Sequence, residues 1–298
     1  MPEVHIIDLH FLDVEQTIAS FLLESSEGPI LVETGPHSRI ADLERGLSAK
    51  GYTTADVQHV FLTHIHLDHA GAAWYFAEQG ANVYLHPVGM PHMADPSRLM
   101  ASAKRIYQDQ MNRLWGQMNA IPKAQLIPID HGQHITVGDL ELIAHHTPGH
   151  AVHHIAWQIG DELIGGDVTG VRIDGGLVVP PCPPPDIHIE DWKASIALIR
   201  KLNVKKIYLT HFGAIDGVEE HLDQLEAQLD SWSNWMRPFA ERQTDPKEVV
   251  PLFEAFVRRQ LLAAGLDEKG IRQYESANPA WMSVAGLMRY WKKQLAPK

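Results

Sequence analysis

The sequence has little cysteine, few cationic side chains and no long apolar run, and each shortage excludes a class of protein. Cys182 is the one cysteine among 298 residues, so no disulfide can form within the chain and nothing indicates an oxidising compartment. No uncharged apolar run approaches the ~20 residues that a membrane-spanning helix needs. The N-terminal Met-Pro-Glu-Val-His segment lacks the cationic start and apolar stretch of a signal peptide. We therefore expect a cytoplasmic protein without a membrane partner.

Positive charge is scarce as well. The chain has 25 Lys and Arg against 37 Asp and Glu, which gives a formal net charge of −12. Nucleic acids and anionic membranes bind surfaces with a positive field, so the balance argues against a nucleic-acid partner. A small-molecule substrate is the expected partner.

The pattern of apolar residues divides the chain into an α/β part and a helical part. Residues 1–215 alternate short apolar strands with helices, one of them predicted from about Asp68 to Gln79. A Met-rich helical insertion is predicted at about 88–122, and a stiff proline-rich loop at 180–185. From residue 216 to 298 the periodicity is helical only, which predicts a C-terminal extension packed on the core.

Histidine is abundant, and its placement carries the chemistry. The chain has 19 histidines, and Thr63–Gly71 reads Thr-His-Ile-His-Leu-Asp-His-Ala-Gly where a buried strand gives way to a helix. His64 and His66 project to one side of an extended chain, whereas Asp68 and His69 project from the helix start. The segment can therefore offer two ligands to each of two cations. Further candidates follow later apolar strands: His150, Asp167 and His211.

These residues resemble the ligand motifs of a known family. Thr63–Gly71 is similar to the His-x-His-x-Asp-His motif of the metallo-β-lactamase superfamily, and the three later residues match its remaining ligand motifs in order and approximate spacing. The resemblance covers roughly residues 4–215. It looks closest to the glyoxalase II-like and related ester, thioester and lactone hydrolase branches, which share the His-Leu/Trp-Asp-His-Ala-Gly and Thr-Pro-Gly-His sequences. It implies an α/β fold, a four-layer αββα sandwich of two similar halves with a helical extension.

The resemblance also implies a ligand assignment and a mechanism. One divalent metal ion would be held by His64, His66 and His150, a second by Asp68, His69 and His211, with Asp167 between them. Nitrogen and oxygen ligands suit zinc, the expected metal, and also iron or manganese. A hydroxide bridging the two ions would attack an acyl carbon, oriented by Asp68 as a catalytic residue. Four residues are predicted to support the ligands: Glu33, Thr63, His154 and Thr210.

Several alternatives stay open at this point. The fold could carry a mononuclear iron oxygenase similar to the persulfide dioxygenases, a nucleic-acid phosphodiesterase, or a non-catalytic binding protein. The 88–122 insertion is either a lid over the substrate or ordinary helix packing. Arg98, Lys104, Arg105 and Arg113 either bind an anionic substrate group or form a solvated helix face. The C-terminal helices either complete the pocket or form a homodimer interface, and Cys182 is expected to be structural.

Overall fold

Two six-stranded sheets form the centre of the protein, as seen in a computed structural model that describes residues 3–296. The first sheet has the order β1-β2-β3-β4-β5-β6, with strands Val4–Asp8, Ala19–Ser25, Gly28–Val32, His59–Phe61, Asn82–Leu85 and Leu126–Pro128. The second has the order β12-β11-β10-β9-β8-β7, with strands His134–Val137 (β7), Leu140–His146 (β8), Ile155–Ile159 (β9), Glu162–Ile164 (β10), Lys206–Leu209 (β11) and Gly213–Ile215 (β12).

Eleven α-helices cover the outer faces of the sheets or line the site in the described part of the chain. They are α1 Ile40–Ala49, α2 Leu67–Ala70, α3 Ala73–Ala77, α4 Met90–Ala94, α5 Ser97–Tyr107, α6 Met111–Leu114, α7 Ile189–Lys201, α8 Val218–Glu241, α9 Pro246–Ala263, α10 Glu268–Ala277 and α11 Ala280–Gln294. Short 3-10 turns connect several of them. None of the helices between residues 3 and 296 combines the length and apolarity needed to cross a bilayer.

Side-chain alternation along the strands produces four layers. In β2, Phe21 and Leu23 enter the core between the two sheets, whereas Leu22 packs under α1 and the insertion helices. In β9, Trp157 lies between the sheets and Ala156 packs with α7 and the C-terminal helices. Both faces of these strands are buried, as period-two alternation requires when helices cover both outer faces. The predicted α/β sandwich with a C-terminal helical region is confirmed, while the division at residue 215 stays a prediction.

Strand direction brings the functional segments to one edge. The strands β3, β4 and β5 are parallel, so the segments after β3 and β4 emerge at the same end of the first sheet. In the second sheet, β8 and β10 both pair antiparallel with β9 and so run in the same direction, and β11 is parallel to β10. The carboxyl ends of β8, β10 and β11 therefore lie together.

The predicted helix from Asp68 to Gln79 is wrong in its continuity. The chain forms α2 and α3 separately, because the backbone N–H of Ala72 donates to Gly35 O (3.0 Å) instead of continuing the helix. Gly71 permits this close approach, since a Cβ there would lie 2.3 Å from Leu67 O and 3.0 Å from Pro36 Cα. The insertion is helical over Met90–Leu114 with breaks, and irregular from there to residue 122.

Candidate metal centre

The seven predicted ligands all lie at the shared edge of the two sheets. Thr63–Gly71 follows β4, and His150 follows β8. Asp167 lies in the 3-10 turn Gly166–Thr169 after β10, and His211 comes two residues after β11. Five of the side chains follow strand ends, and Asp68 and His69 lie on the short helix α2 directly after them. Placement on the regular elements of a rigid core suits a site that needs fixed geometry.

The side chains form two adjacent groups. His64, His66, His150 and Asp167 offer ligand atoms that all lie within 4.8 Å of one another, and so do Asp68, His69 and His211. In the first group, His66 Nδ1 lies 2.9 Å from His64 Nε2 and 3.0 Å from His150 Nε2. In the second, Asp68 Oδ2 lies 3.7 Å from His69 Nε2 and 3.6 Å from His211 Nε2.

Asp167 connects the two groups through its two oxygens. Its Oδ2 lies 3.3 Å from His150 Nε2 in the first group. Its Oδ1 lies 3.2 Å from His69 Nε2 and 3.3 Å from His211 Nε2 in the second. The side chain is nearly fully buried, so its charge is not screened by solvent. A carboxylate in this position can hold two cations at once.

Three histidines have their ring orientation fixed by acceptors outside the site. His150 Nδ1 donates to Pro181 O (2.9 Å), His211 Nδ1 donates to Thr17 O (2.6 Å), and His69 Nδ1 donates to Glu33 Oε2 (2.6 Å). A carbonyl or carboxylate only accepts, so the proton of each neutral ring lies on Nδ1. The Nε2 lone pair is then directed into the site, which is the arrangement of metal-ligating histidines.

Buried polar atoms without partners show that these residues fit a cation. His69 Nε2 and Asp167 Oδ1 are 3.2 Å apart but not aligned for a hydrogen bond, and both are buried without a partner among residues 3–296. Buried polar groups are normally paired, because an unpaired one costs about 1–3 kcal/mol. A divalent cation with nitrogen and oxygen ligands would satisfy both atoms.

The two groups differ in their protonation. Burial, followed by the charge of His150, lowers the pKa of His66 to about 4, and burial also lowers the pKa of His64 well below its ordinary value. These rings are neutral near pH 7 and can act as ligands. For His69, burial acts to lower the pKa, but the carboxylates of Asp167, Asp68 and Glu33 outweigh it and raise the pKa well above its ordinary value. Cation binding at that group would therefore release a proton.

Two of the four predicted supporting residues contact ligands. Glu33 is fully buried; its Oε1 accepts from the backbone N–H of Thr63 (2.7 Å) while Oε2 accepts from His69. Its φ of 66° lies in the left-handed region, a strained conformation for a non-glycine residue that recurs at functional sites. Thr63 Oγ1 lies 3.0 Å from His64 Nδ1.

The other two supporting residues lie nearby without a hydrogen bond to a ligand. The His154 ring stacks on His64 with centroids 5.1 Å apart, but its Nδ1 bonds Thr147 Oγ1 and its Nε2 accepts from Val168 N. Thr210 Oγ1 is buried and has no hydrogen-bond partner in the described chain. The acceptor that fixes His211 is instead the carbonyl of Thr17. Sequence reasoning missed Thr17 and Pro181 because a backbone carbonyl leaves no signal in residue type.

A cavity of about 340 Å³ opens beside the two groups. His66, Asp68 and Asp167 line it, together with side chains of α5 and α6, the proline loop and the junction between α10 and α11. The insertion and the C-terminal helices thus both form walls of the pocket. Cys182 is fully buried behind this wall, and burial raises the pKa of its thiol, as expected for a structural cysteine.

The cations of the insertion are not in the cavity wall. All four are exposed, and none of them is among the described residues that line the pocket: Arg98, Lys104, Arg105 and Arg113. Of the two alternatives for these residues, their exposure outside the described cavity wall favours a solvated helix face over an anion-binding group.

Three known proteins are similar to this chain over most of its length. The metallo-β-lactamase fold-containing protein ST1585 of Sulfurisphaera tokodaii is 25% identical over 209 residues, which are 66% of this chain and 74% of that protein. The β-lactamase-like protein 2 homolog of Caenorhabditis elegans is 26% identical over 209 residues. These residues are 69% of this chain and 59% of that relative. The solved structure of the metallo-β-lactamase family protein TTHA1429 of Thermus thermophilus has a TM-score of 0.65 at 20% identity, covering 98% of this chain and 93% of that one.

The solved structure of ST1585 agrees, with a TM-score of 0.62 over 75% of this chain and 86% of that one, at 19% identity. At these identities the structural likenesses show the fold alone, and in the Thermus protein the likeness includes the C-terminal helices. The family model described as the metallo-beta-lactamase superfamily matches residues 15–211, which contain all seven predicted ligands. The chain therefore belongs to the metallo-β-lactamase superfamily.

Proposed function

We propose that the protein is a binuclear metal-dependent hydrolase that cleaves a small-molecule ester, thioester or lactone. Membership of the superfamily together with the His/Asp cluster suggests a metal-dependent hydrolase. The observation that carries the binuclear form is Asp167, whose two oxygens face the nitrogen ligands of two separate groups. The ester, thioester or lactone substrate follows from the likeness of Thr63–Gly71 and Thr147–His150 to the glyoxalase II-like branch.

The donor atoms fit zinc, with iron and manganese as competitors. His64, His66 and His150 would hold one ion, and Asp68, His69 and His211 the other, with Asp167 shared. No thiolate takes part, since Cys182 is buried outside both groups. When bound, such cations supply hydroxide at neutral pH by lowering the pKa of water, and they stabilise negative charge on a carbonyl oxygen.

Asp68 is the residue placed to assist the reaction. Its side chain is 22% exposed, more than that of His69, His211 or Asp167, and it lines the cavity. A carboxylate between the ligand imidazoles and the substrate space can orient the attacking water and accept its proton. The apolar wall around it limits access of bulk water, which strengthens these electrostatic contacts.

The first experiment is to measure the metal content of the purified protein by elemental mass spectrometry and then its activity on esters, thioesters and lactones. We expect close to two metal ions per chain, and turnover that disappears on chelation and returns when metal is added. One iron per chain without hydrolysis would overturn the proposal and favour the hypothesis of a mononuclear iron oxygenase.

The Asp68→Asn variant tests the proposed role of that carboxylate. We expect kcat to fall by about 100-fold or more, the usual contribution of a positioned acid or base, while the first group still binds its cation. His134→Ala is the control, because His134 is exposed on β7, contacts Glu141 on the adjacent strand and is neither a predicted ligand nor part of the described cavity wall. Unchanged kcat in Asp68→Asn would remove Asp68 from the mechanism.

A further inference from the structure

The cavity beside the metal centre is walled by aromatic rings from three separate segments. Phe11 stacks on Trp115 with centroids 5.5 Å apart, Trp115 meets Tyr107 edge-on at 5.1 Å, and Tyr107 meets Trp281 at 5.7 Å. These rings come from the β1–β2 loop, the insertion and the C-terminal helix α11. Aliphatic and proline side chains complete the wall: Leu12, Ile18, Leu67, Leu99, Ile106, Leu114, Pro181, Pro183, Pro184, Pro185 and Met282.

Part of this wall is held under backbone strain. Leu12 has φ 57° and ψ 27°, the left-handed region that costs a branched apolar residue of order 1–3 kcal/mol. The loop keeps this shape because the Asp8 carboxylate accepts from the backbone N–H groups of His10 (2.9 Å) and Gln16 (2.8 Å). Arg39 Nε adds a bond to Leu9 O (2.9 Å). The fold thus holds Leu12 against the cavity despite the strain.

The charges that line the cavity are of one sign. Among the described residues in its wall, Asp68, Asp167 and Glu275 are acidic, and none is Lys or Arg. Asp68 and Asp167 lie at the metal centre, where cations would balance them. Away from that end, the described wall offers no cationic side chain to an anionic group, and a charge without a counter-charge in apolar surroundings is strongly disfavoured.

The Tyr107 hydroxyl is a polar group in the wall that can recognise a neutral oxygen. The Tyr107 hydroxyl donates to Met282 Sδ at 3.5 Å, and a thioether is a weak acceptor. Burial, helped by the negative charge of Asp68, raises the pKa of Tyr107, so the hydroxyl keeps its proton at neutral pH. The hydroxyl can therefore donate to a carbonyl or ether oxygen of a bound molecule instead of to the Met282 sulfur.

We propose that the site selects uncharged substrates whose apolar arm fills this cavity, and that it excludes substrates whose arm carries an anion. The proposal rests on the proposed hydrolase function and narrows its substrate class. A volume of about 340 Å³ is at the small end of the range for small-molecule pockets, about 300–1,000 Å³. It accommodates a medium-length alkyl chain or a single aromatic group, and the anionic arms of glutathione and coenzyme A thioesters have no cationic partner among the described residues of the wall.

Binding of a matched pair of unreactive probes tests the proposal without depending on turnover. Octanamide carries a neutral apolar arm, and its analogue with a terminal sulfonate carries an anion that coordinates divalent cations weakly. Isothermal titration calorimetry on the metal-loaded protein should show octanamide binding at least about 10-fold more tightly, because the sulfonate would enter an apolar wall unpaired. Equal affinity, or tighter binding of the sulfonate, would overturn the proposal.

Two variants test whether a new cation strengthens sulfonate binding only when it stands in the cavity wall. Ile106 is 45% exposed and lines the cavity, so Ile106→Arg adds a cation at its mouth without disturbing the core. We expect this variant to bind the sulfonate probe at least 10-fold more tightly than wild type does. Leu252→Arg is the control, since Leu252 is 51% exposed on α9 and outside the cavity wall. A gain of equal size in both variants would also contradict the proposal.

The two proposals can fail separately. Selective octanamide binding with no hydrolysis of any uncharged ester, thioester or lactone would leave the pocket assignment intact and remove the hydrolase. Hydrolysis that is equally fast for neutral and anionic arms, with equal probe affinities, would keep the hydrolase and remove the selectivity.

Discussion

Replacement of Glu33 by Gln tests whether a buried carboxylate sets the ligand state of His69. Glu33 Oε2 accepts from His69 Nδ1 at 2.6 Å, and Oε1 accepts from Thr63 N at 2.7 Å, both fully buried. A glutamine can keep one of these bonds. If its oxygen stays on Thr63, its NH₂ faces His69 Nδ1 and can only donate, so the ring proton moves to Nε2 and the lone pair toward the site is lost.

The expected size of this effect follows from what such hydrogen bonds contribute in general. Outer hydrogen bonds to metal-ligating histidines contribute about 10–100-fold in metal affinity, which corresponds to about 1.4–2.7 kcal/mol. Only the group of Asp68, His69 and His211 should lose this affinity, because the first group has no contact with Glu33. If the amide turns the other way, the Thr63 N–H meets a donor, and an unsatisfied buried N–H costs about 1–3 kcal/mol of folding free energy.

Competition for the metal ions between the protein and a chromophoric chelator distinguishes the two orientations of the introduced amide. Wild-type protein should release metal in two steps, and Glu33→Gln should weaken one of them by 10–100-fold while the other stays in place. Glu44→Gln is the control, since Glu44 accepts a bond from Tyr75 on the partly buried surface of α1, away from the site. If the amide turns the other way, both steps should stay unchanged and the free energy of unfolding should fall by about 1–3 kcal/mol instead. Two unchanged steps with an unchanged free energy of unfolding, or equal weakening of both steps, would refute the reasoning.

Two further predictions concern stability. His221 is buried, and its Nε2 donates to Thr169 O at 2.7 Å. Burial lowers the pKa of His221 to about 4, so the ring stays neutral in the folded state, whereas in the unfolded state it becomes protonated near pH 6.5. The contribution of His221 to the free energy of unfolding is complete above about pH 6.5 and falls as the pH drops toward 4, by up to about 1.4 kcal/mol per pH unit. Denaturant unfolding at several pH values should therefore show a free energy of unfolding that changes less steeply with pH in His221→Gln than in wild type. An equal pH dependence in the two proteins would contradict this prediction. Gly286 of α11 packs on the proline loop, and a Cβ there would lie 2.0 Å from Cys182 O, so Gly286→Ala should lower the unfolding free energy by about 1–3 kcal/mol. Gly217→Ala, where a Cβ meets nothing within 4 Å, should leave it nearly unchanged, and equal losses would rule out the packing argument.

The placement of the ligands could be predicted because residue type and strand pattern agree. Each of His64, His150, Asp167 and His211 follows an apolar strand, and strands that run in one direction end at one edge. The contacts that orient the rings could not be predicted to the same extent. Glu33 could be named because it precedes Thr-Gly at a position where the resembled family usually has Asp, whereas the Thr17 and Pro181 carbonyls depend on which loops meet after folding.

Three elements show where local pattern gives way to tertiary contact. The strand β12 has three residues and no buried side chain, so no alternation marks it in the sequence. The helix α10 lies between two predicted helices and was not predicted, although Asp267 caps it by accepting from Gly270 N. The break between α2 and α3 results from the bond of Ala72 N to Gly35 O, which joins segments 37 residues apart in sequence.

The predicted metal ligands and most of the apolar cavity wall come from different segments of the chain, so substitutions in the wall away from the ligands should leave metal binding unchanged. The predicted ligands lie in α2 or at strand ends and turns of the two-sheet core, whereas the apolar cavity wall comes mainly from the β1–β2 loop, the insertion, the proline loop and the α10–α11 junction. Among the described hydrogen bonds, the β1–β2 loop and the proline loop contact the ligands only through the carbonyls of Thr17 and Pro181. Tyr107 ties two of these segments together through Met282 and Trp281 and has no hydrogen bond to a ligand among the described contacts. A change such as Met282→Ala should therefore alter KM and the preference among substrate arms while the metal content stays the same. A parallel loss of metal would mean that the wall also holds the ligands in place.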